Sequence, residues 1–147
     1  MPLNENDRSF PVKLVSPDGE LYTARAISLV VPVIDGYLGV LKHHAPMVAA
    51  LDFGELLIRT PEEHIVSLAV AGGFMEVTRK EVIILCDAAE FREDIDITEA
   101  TKQLRAARER LQKKFSGVEL ERAQVALREA ENRLKVARHK ERKHIVE

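Results

Sequence analysis

The sequence predicts an α+β chain with β before α. An N-terminal antiparallel β-sandwich or barrel over residues 1–93 leads into a C-terminal antiparallel two-helix hairpin over residues 94–147. Three observations carry this expectation. Apolar residues recur at strand period as far as about residue 87 and at helical period from about residue 95. Turn signals punctuate the first half at short intervals. The charge divides in the same way: residues 1–101 carry 8 Lys and Arg against 17 Asp and Glu, a net −9, whereas residues 102–147 carry 14 against 7, a net +7. Such an asymmetry points to two modules with different partners.

The strands come first. Phe10, Val12 and Leu14 alternate with Pro11, Lys13 and Val15, the pattern of a half-buried strand. Turns are expected at Pro17-Asp18-Gly19, Asp35-Gly36, Gly54, Pro61 and Gly72-Gly73. Between them lie runs rich in Val, Ile and Leu: ISLVV, LLIRT, IVSLAV, FMEVT and EVIIL. Many short strands at this spacing form a sandwich or barrel. No helix of ordinary length fits before about residue 95.

The helices follow. Ala100, Leu104, Ala107 and Leu111 make one stripe, and FSG, with Gly117, interrupts it. Leu120, Ala123, Leu127, Ala130, Leu134 and Ala137 make a second stripe of alternating Leu and Ala. Alanine lets two helices approach closely and leucine fills the gap beside it, so two such stripes joined by a short break imply a helical hairpin. Asp96 before Glu99 and Ser116 before Glu119 have capping-box spacing. Lys113 and Lys114 close the first helix, where cations suit the dipole. Glu129 with Arg133 and Glu131 with Lys135 are i,i+4 pairs in the favourable order, worth ~0.2–0.5 kcal/mol each. A single narrow stripe buries little area, which leaves such a hairpin free to exchange packing partners.

Chemistry-bearing motifs are absent. The chain contains no HExxH, CxxC, GxSxG or Walker loop. Gly72-Gly73 leads into strand-like FMEV rather than a helix, so it is not a phosphate loop. His43 and His44 are adjacent, and on a strand they would point to opposite faces, which disfavours shared metal chelation. His64, His139 and His144 have no ligand spacing. The carboxylates of EDID precede a helix, where acids are stabilising anyway. Catalytic residues, metal and cofactors are therefore none. The positive second half has no aromatic–basic interleaving, which argues against nucleic acid; its cations are mixed with glutamates along the helix faces, so a solvated helical surface is the default reading and an acidic protein partner the sharper one. No run of 18 apolar residues is present. The acidic N-terminal MPLNENDRSF lacks the apolar core of a signal peptide. The lone Cys86, within VIILC, is expected as a small buried hydrophobe in a reducing, cytoplasmic setting. Residue chemistry alone thus describes an adaptor or regulatory subunit with no active site.

The segments FPVKLVSPDGELY, VPVIDGYLGVLKHHAPMVAAL, LAVAGGFMEV, VIILCDAAE and DIDITEA resemble the epsilon subunit of bacterial F-type ATP synthase, in order and spacing, from about Phe10 to Ala137. The resemblance implies a non-catalytic rotor subunit of the central stalk, peripheral on the cytoplasmic face of the bacterial inner membrane and touching the membrane only through the complex. Its partners would be the gamma subunit, the c-ring and the alpha and beta subunits. By position, Ser16, His44 and Pro46 would face gamma, and Asp35, Gly36, Tyr37 and Leu38 would touch the c-ring. His43 falls at a position of no special note. The basic residues Lys102, Arg105, Arg108, Arg110, Lys113, Lys114, Arg122, Arg128 and Arg133 would meet acidic beta-subunit surface and inhibit ATP hydrolysis.

Two departures from the family pattern bear on this. Val33 stands where many members have glycine, which bears on the shape of the c-ring loop. The ATP-sensing motif of some members, I/L-D-x-x-R-A, here reads Ile95-Asp96-Ile97-Thr98-Glu99-Ala100. Glutamate replaces the arginine, and Glu129 stands where such members tend to carry another arginine. Carboxylates facing phosphates repel them, so weak or absent ATP binding is expected. An ATP-sensing module and an unrelated adaptor of similar layout are the alternative readings.

Overall fold

In a computed structural model, residues 8–114 and 116–139 are described. Residues 1–7 of the N-terminal segment discussed above, Phe115 of the interhelical break and His144 lie outside them. The chain divides into two compact units, Met1–Phe91 and Arg92–Glu147.

The first unit is built from eight strands: β1 (Phe10–Ser16), β2 (Gly19–Ala26), β3 (Ser28–Val33), β4 (Gly36–Val40), β5 (Met47–Arg59), β6 (Ile65–Val77), β7 (Val82–Cys86) and β8 (Ala89–Phe91). Their order is β2-β1-β7-β6-β5-β3-β4, with β8 beside β6. The pairs are antiparallel except β1 with β7, which run parallel. The alternation expected in β1 holds, since Phe10, Val12 and Leu14 are buried. With Leu29, Leu56, Ile58, Leu68, Met75 and Ile84 they form one core.

Two expected turns are not turns. Gly54 lies inside the 13-residue β5, and Gly72-Gly73 lies inside the 13-residue β6. Both glycines of the pair have positive φ (84° and 123°), and a Cβ on Gly73 would sit 1.9 Å from the carbonyl oxygen of Leu85. The pair marks where β6 leaves β8, at Leu68–Val70, and joins β7, at Gly73–Val77. Gly54 meets Pro32, whose Cβ would lie 2.5 Å from an added Cβ. Close backbone approach, not chain reversal, requires glycine at these places. The expected turns at Pro17-Asp18 and Pro61 stand between strands.

The second unit holds α1 (Ile97–Leu111) and α2 (Val118–Arg138), preceded by a short 3-10 turn at Arg92–Asp94. Asp96 caps α1, its Oδ1 accepting the Glu99 N–H at 3.1 Å. Ser116 does not cap α2. Gly117 holds that position at φ 65° with no side-chain bond to the helix. Lys113 and Lys114 lie just beyond α1, which ends at Leu111 with Arg108 and Arg110 in its last turn. The Leu/Ala stripes turn inward as expected: Ala100, Ala107, Ala123, Ala130 and Leu134 are buried.

Candidate functional site

The β3–β4 connection is a tight tip. Val33 pairs with Gly36, so Ile34 and Asp35 alone bridge the strands. Gly36 takes φ 134°, which glycine tolerates without a Cβ penalty. Ile34 is 66% and Tyr37 61% exposed, and Asp35 is exposed beside them. The tip therefore presents two apolar side chains around one carboxylate. Leu38 differs from its neighbours, being half-buried against the core. Ile34 was not singled out by sequence reasoning, although an apolar residue inside an Asp-Gly turn is itself a signal.

A broader surface lies on the outer face of β5, β6, β7 and β1. Leu14, Met75 and Ile84 point into the core with no exposure, so their strand neighbours point out. Register places Ala50, Phe74, Leu85 and Val15 in one row across the four strands, and Val48, Glu76, Ile83 and Lys13 in the next. Val48 is 68%, Phe74 58% and Leu85 51% exposed. A sheet normally turns polar residues to water on its solvent face, and this face is mostly apolar. Ser16 follows Val15 at one margin, and Pro46 precedes Val48 by two residues at the other. The fold thus sets two of the sequence-selected residues at the borders of one apolar face. The face was legible only in part, because Phe74, Ile83 and Leu85 sit in runs apolar on both sides and only the register shows which residues share a surface.

His43 and His44 stand on the β4–β5 loop, not on a strand, so strand alternation does not govern them. His44 donates its backbone N–H to Leu41 O at 3.1 Å, and its Nδ1 lies 2.8 Å from Ala45 O. That contact to a carbonyl makes Nδ1 the protonated nitrogen. His43 has φ 69°, the left-handed region. No group of three or more His, Cys, Asp or Glu side chains suited to a metal occurs among the described residues.

On the hairpin, Arg105, Arg108, Lys113, Lys114, Arg122 and Arg128 are exposed. Arg133 is the exception. Its side chain is 12% exposed, its Nη1 donates to Gln103 Oε1 at 2.5 Å, and it stands 4.0 Å from Glu99 Oε1. Gln103 Nε2 in turn donates to Glu99 Oε1 at 3.3 Å. Arg133 therefore ties α2 to α1 and is not part of the outward basic surface. Glu99, at the arginine position of the degenerate motif, occupies the same cluster.

Comparisons with known proteins agree with this architecture. The family described as "ATP synthase, Delta/Epsilon chain, beta-sandwich domain" matches residues 9–92, and that described as "ATP synthase, Delta/Epsilon chain, long alpha-helix domain" matches residues 93–138. The ATP synthase epsilon chain of Moorella thermoacetica is 40% identical over 129 residues, covering 88% of this chain and 96% of the relative. That of Lacticaseibacillus casei is 40% identical over 141 residues, with 90% and 96% covered. Among solved structures, a chain in the cryo-EM structure of the Euglena gracilis mitochondrial ATP synthase (OSCP/F1/c-ring) superposes with a TM-score of 0.77 at 25% identity, covering 89% of this chain and 82% of that one. A chain of the Tetrahymena thermophila mitochondrial enzyme has the same fold, with a TM-score of 0.63 at 15% identity and 87% and 96% covered. Sandwich and helices are both matched, in order and over nearly the whole of the curated relatives, so the chain belongs to the ATP synthase delta/epsilon chain family.

Proposed function

We propose that this chain is the non-catalytic central-stalk subunit that couples the gamma subunit to the c-ring. In this reading the exposed row of Val48, Phe74 and Leu85, bordered by Ser16 and Pro46, docks against gamma. That apolar face is the single observation that carries the proposal, because leaving it in water is costly and burying it is worth roughly 25 cal/mol per Å² before association costs. Ile34, Asp35 and Tyr37 rest on the c-ring, with Gly36 shaping the turn and Leu38 bracing it. The strands link tip and face through one rigid core, which is what transmission of torque demands. The chain lies at the cytoplasmic face of the bacterial membrane, and no helix among its described residues is long and apolar enough to cross a bilayer.

The hairpin is the regulatory element in this proposal. Its exposed cations Arg105, Arg108, Lys113, Lys114, Arg122 and Arg128 engage acidic surface of the beta subunits and restrain ATP hydrolysis. Glu99, at the arginine position of the degenerate nucleotide motif, lies beside Gln103 and Arg133, and its carboxylate would repel phosphate. In this reading the chain binds ATP weakly or not at all.

Two experiments test these readings. Purification of the full chain with its matching gamma subunit and c-ring is expected to yield a ternary complex, and recovery of neither partner contradicts the coupling role. Calorimetry of the isolated chain with MgATP is expected to give no saturable heat. Saturation in the micromolar to low-millimolar range favours the ATP-sensing alternative.

A further inference from the structure

The sandwich gathers its cations at one end. Residues 1–91 contain seven Lys and Arg. Six of them, Arg8, Arg25, Lys42, Arg59, Arg79 and Lys80, line two adjoining recesses at the end away from the Ile34–Asp35 tip. The strand register fixes that end. Val40 and Leu29 close β3 and β4 there, whereas Val33 and Gly36 close them at the tip, a distance of four residues or ~13 Å. Against those seven cations residues 1–91 carry 13 Asp and Glu, a net −6, and composition alone predicts no such concentration.

The larger recess has a volume of about 740 Å³. Its floor is apolar, with Phe10 and Val77 buried in the core cluster, and its rim carries Arg25, Lys42, Arg79 and Lys80. Glu81 is the only carboxylate lining it among the described residues. One feature of the rim is preorganised. Arg25 is held in place by Ser9, donating from Nε to Oγ at 2.7 Å and from Nη2 to the backbone oxygen at 3.0 Å. His43 takes φ 69°, in the left-handed region, at the edge of the recess. Arg79 and Lys80 are exposed and have no carboxylate partner among the described residues.

We propose that this recess is a docking cleft for an acidic polypeptide segment of the gamma subunit. The inference rests on the reading that gamma covers the neighbouring sheet face. Charge complementarity and continuity carry it: His44 and Pro46 line the recess, and Val48, two residues on, opens the apolar face. One partner spanning both would take apolar contact from the face and ionic contact from the cleft. The ionic part sets orientation and association rate, as rim charges do.

The test is a titration of the matching gamma subunit with the full chain at low and high sodium chloride. The variants are Arg79→Glu with Lys80→Glu, Arg79→Gln with Lys80→Gln, and Phe74→Asp. Wild-type affinity is expected to fall with salt. The double charge reversal is expected to bind about tenfold more weakly at low salt and to lose most of the salt dependence, with the double glutamine pair between the two. Both pairs change exposed turn residues, so thermal unfolding should be unaltered. Charge-reversed protein that binds gamma like wild type with the same salt slope, while Phe74→Asp does not bind, overturns the cleft and leaves the face reading intact. Full binding by all three variants overturns both. Loss, on charge reversal, only of cosedimentation with vesicles of equimolar phosphatidylglycerol and phosphatidylcholine assigns the cleft to anionic lipid and overturns the proposal.

Discussion

Leu14, Leu29, Leu56, Ile58, Leu68, Met75 and Ile84 are fully buried in the sandwich, whereas the residues most deeply buried in the hairpin are largely alanines, Ala100, Ala107, Ala123 and Ala130. Burying a Leu, Ile or Met side chain contributes about 1.5–3 kcal/mol, and alanine contributes far less. The sandwich also joins its strands by ladders, the longest, between β5 and β6, running from Met47 opposite Val77 to Arg59 opposite Ile65. The hairpin relies on one narrow seam and on a polar clasp of Glu99, Gln103 and Arg133. A partly exposed ion pair of this kind is worth little. The difference teaches that the sandwich is the unit held by a deep core, whereas the two helices of the hairpin are held to each other by little buried area.

Gly73→Ala probes the sandwich most severely. The new Cβ meets a backbone oxygen at 1.9 Å and φ is 123°, so neither side can yield cheaply. A loss of more than about 3 kcal/mol in denaturant unfolding is expected. Gly117→Ala, between the helices, meets nothing within 4 Å, but its φ of 65° goes with ψ −136°, which L side chains rarely adopt. It should cost about 2 kcal/mol, less than Gly73→Ala, and affect the hairpin alone. Equal costs at the two sites would erase the contrast.

Phe74→Asp sharpens the comparison on the side of binding. The ring is 58% exposed, so folding stability should change by no more than about 0.5 kcal/mol. Affinity for gamma should fall ~100-fold, the range of an interface hot spot. Calorimetric titration measures both partners directly, and unchanged affinity would remove the face from the account.

Alkaline pH should act on the sandwich. Burial, and then the charge of Asp87, pushes the Cys86 thiol up to about 12 from an ordinary value of 9.0. The Tyr22 hydroxyl is raised above 10.0 by burial and then by Glu62. An acid with a raised folded pKa contributes stability that is complete below its unfolded pKa and is lost as pH rises toward the folded value. The stability that Cys86 contributes should therefore be complete below pH 9 and decline above it, by about 1.4 kcal/mol per pH unit up to about 12. Cys86→Val should remove that part of the decline in thermal melts taken from pH 8 to pH 11. Residues 92–147 contain neither Cys nor Tyr, so the hairpin lacks this sensitivity.

The smallest effect belongs to the clasp. Glu99→Gln removes the ion pair with Arg133 while sparing the Asp96 cap, because the cap uses the Glu99 backbone N–H. Hairpin stability, followed by hydrogen exchange of α1 amides, should fall by ~0.5 kcal/mol.

Local pattern carried much of this fold. The alternation in β1, the Leu/Ala stripes of α1 and α2 and the Asp96 cap were all legible, because each depends on neighbours a few residues away. What depends on distant chain was misread or missed. Gly54 and Gly73 signal turns by composition, but their neighbours Pro32 and Leu85 are remote in sequence, so the strands run through them. Ser116 has the spacing of a cap, yet Gly117, with its left-handed φ, ends the loop instead. The apolar face and the basic recess needed register and strand ends to assemble them, and His43, which looked incidental, lines that recess. Arg133 looked like surface charge, and only the approach of Gln103 from the other helix reveals it as a tie.

The most direct test of a coupler bearing an inhibitory hairpin is the ATP hydrolysis rate of the matching catalytic sector. It would be assembled once with the full chain and once with a chain ending at Glu93. The account predicts that both assemble and that the shortened form hydrolyses ATP several-fold faster. Equal rates from two fully assembled complexes would contradict it, leaving the hairpin a solvated appendage of a purely mechanical link.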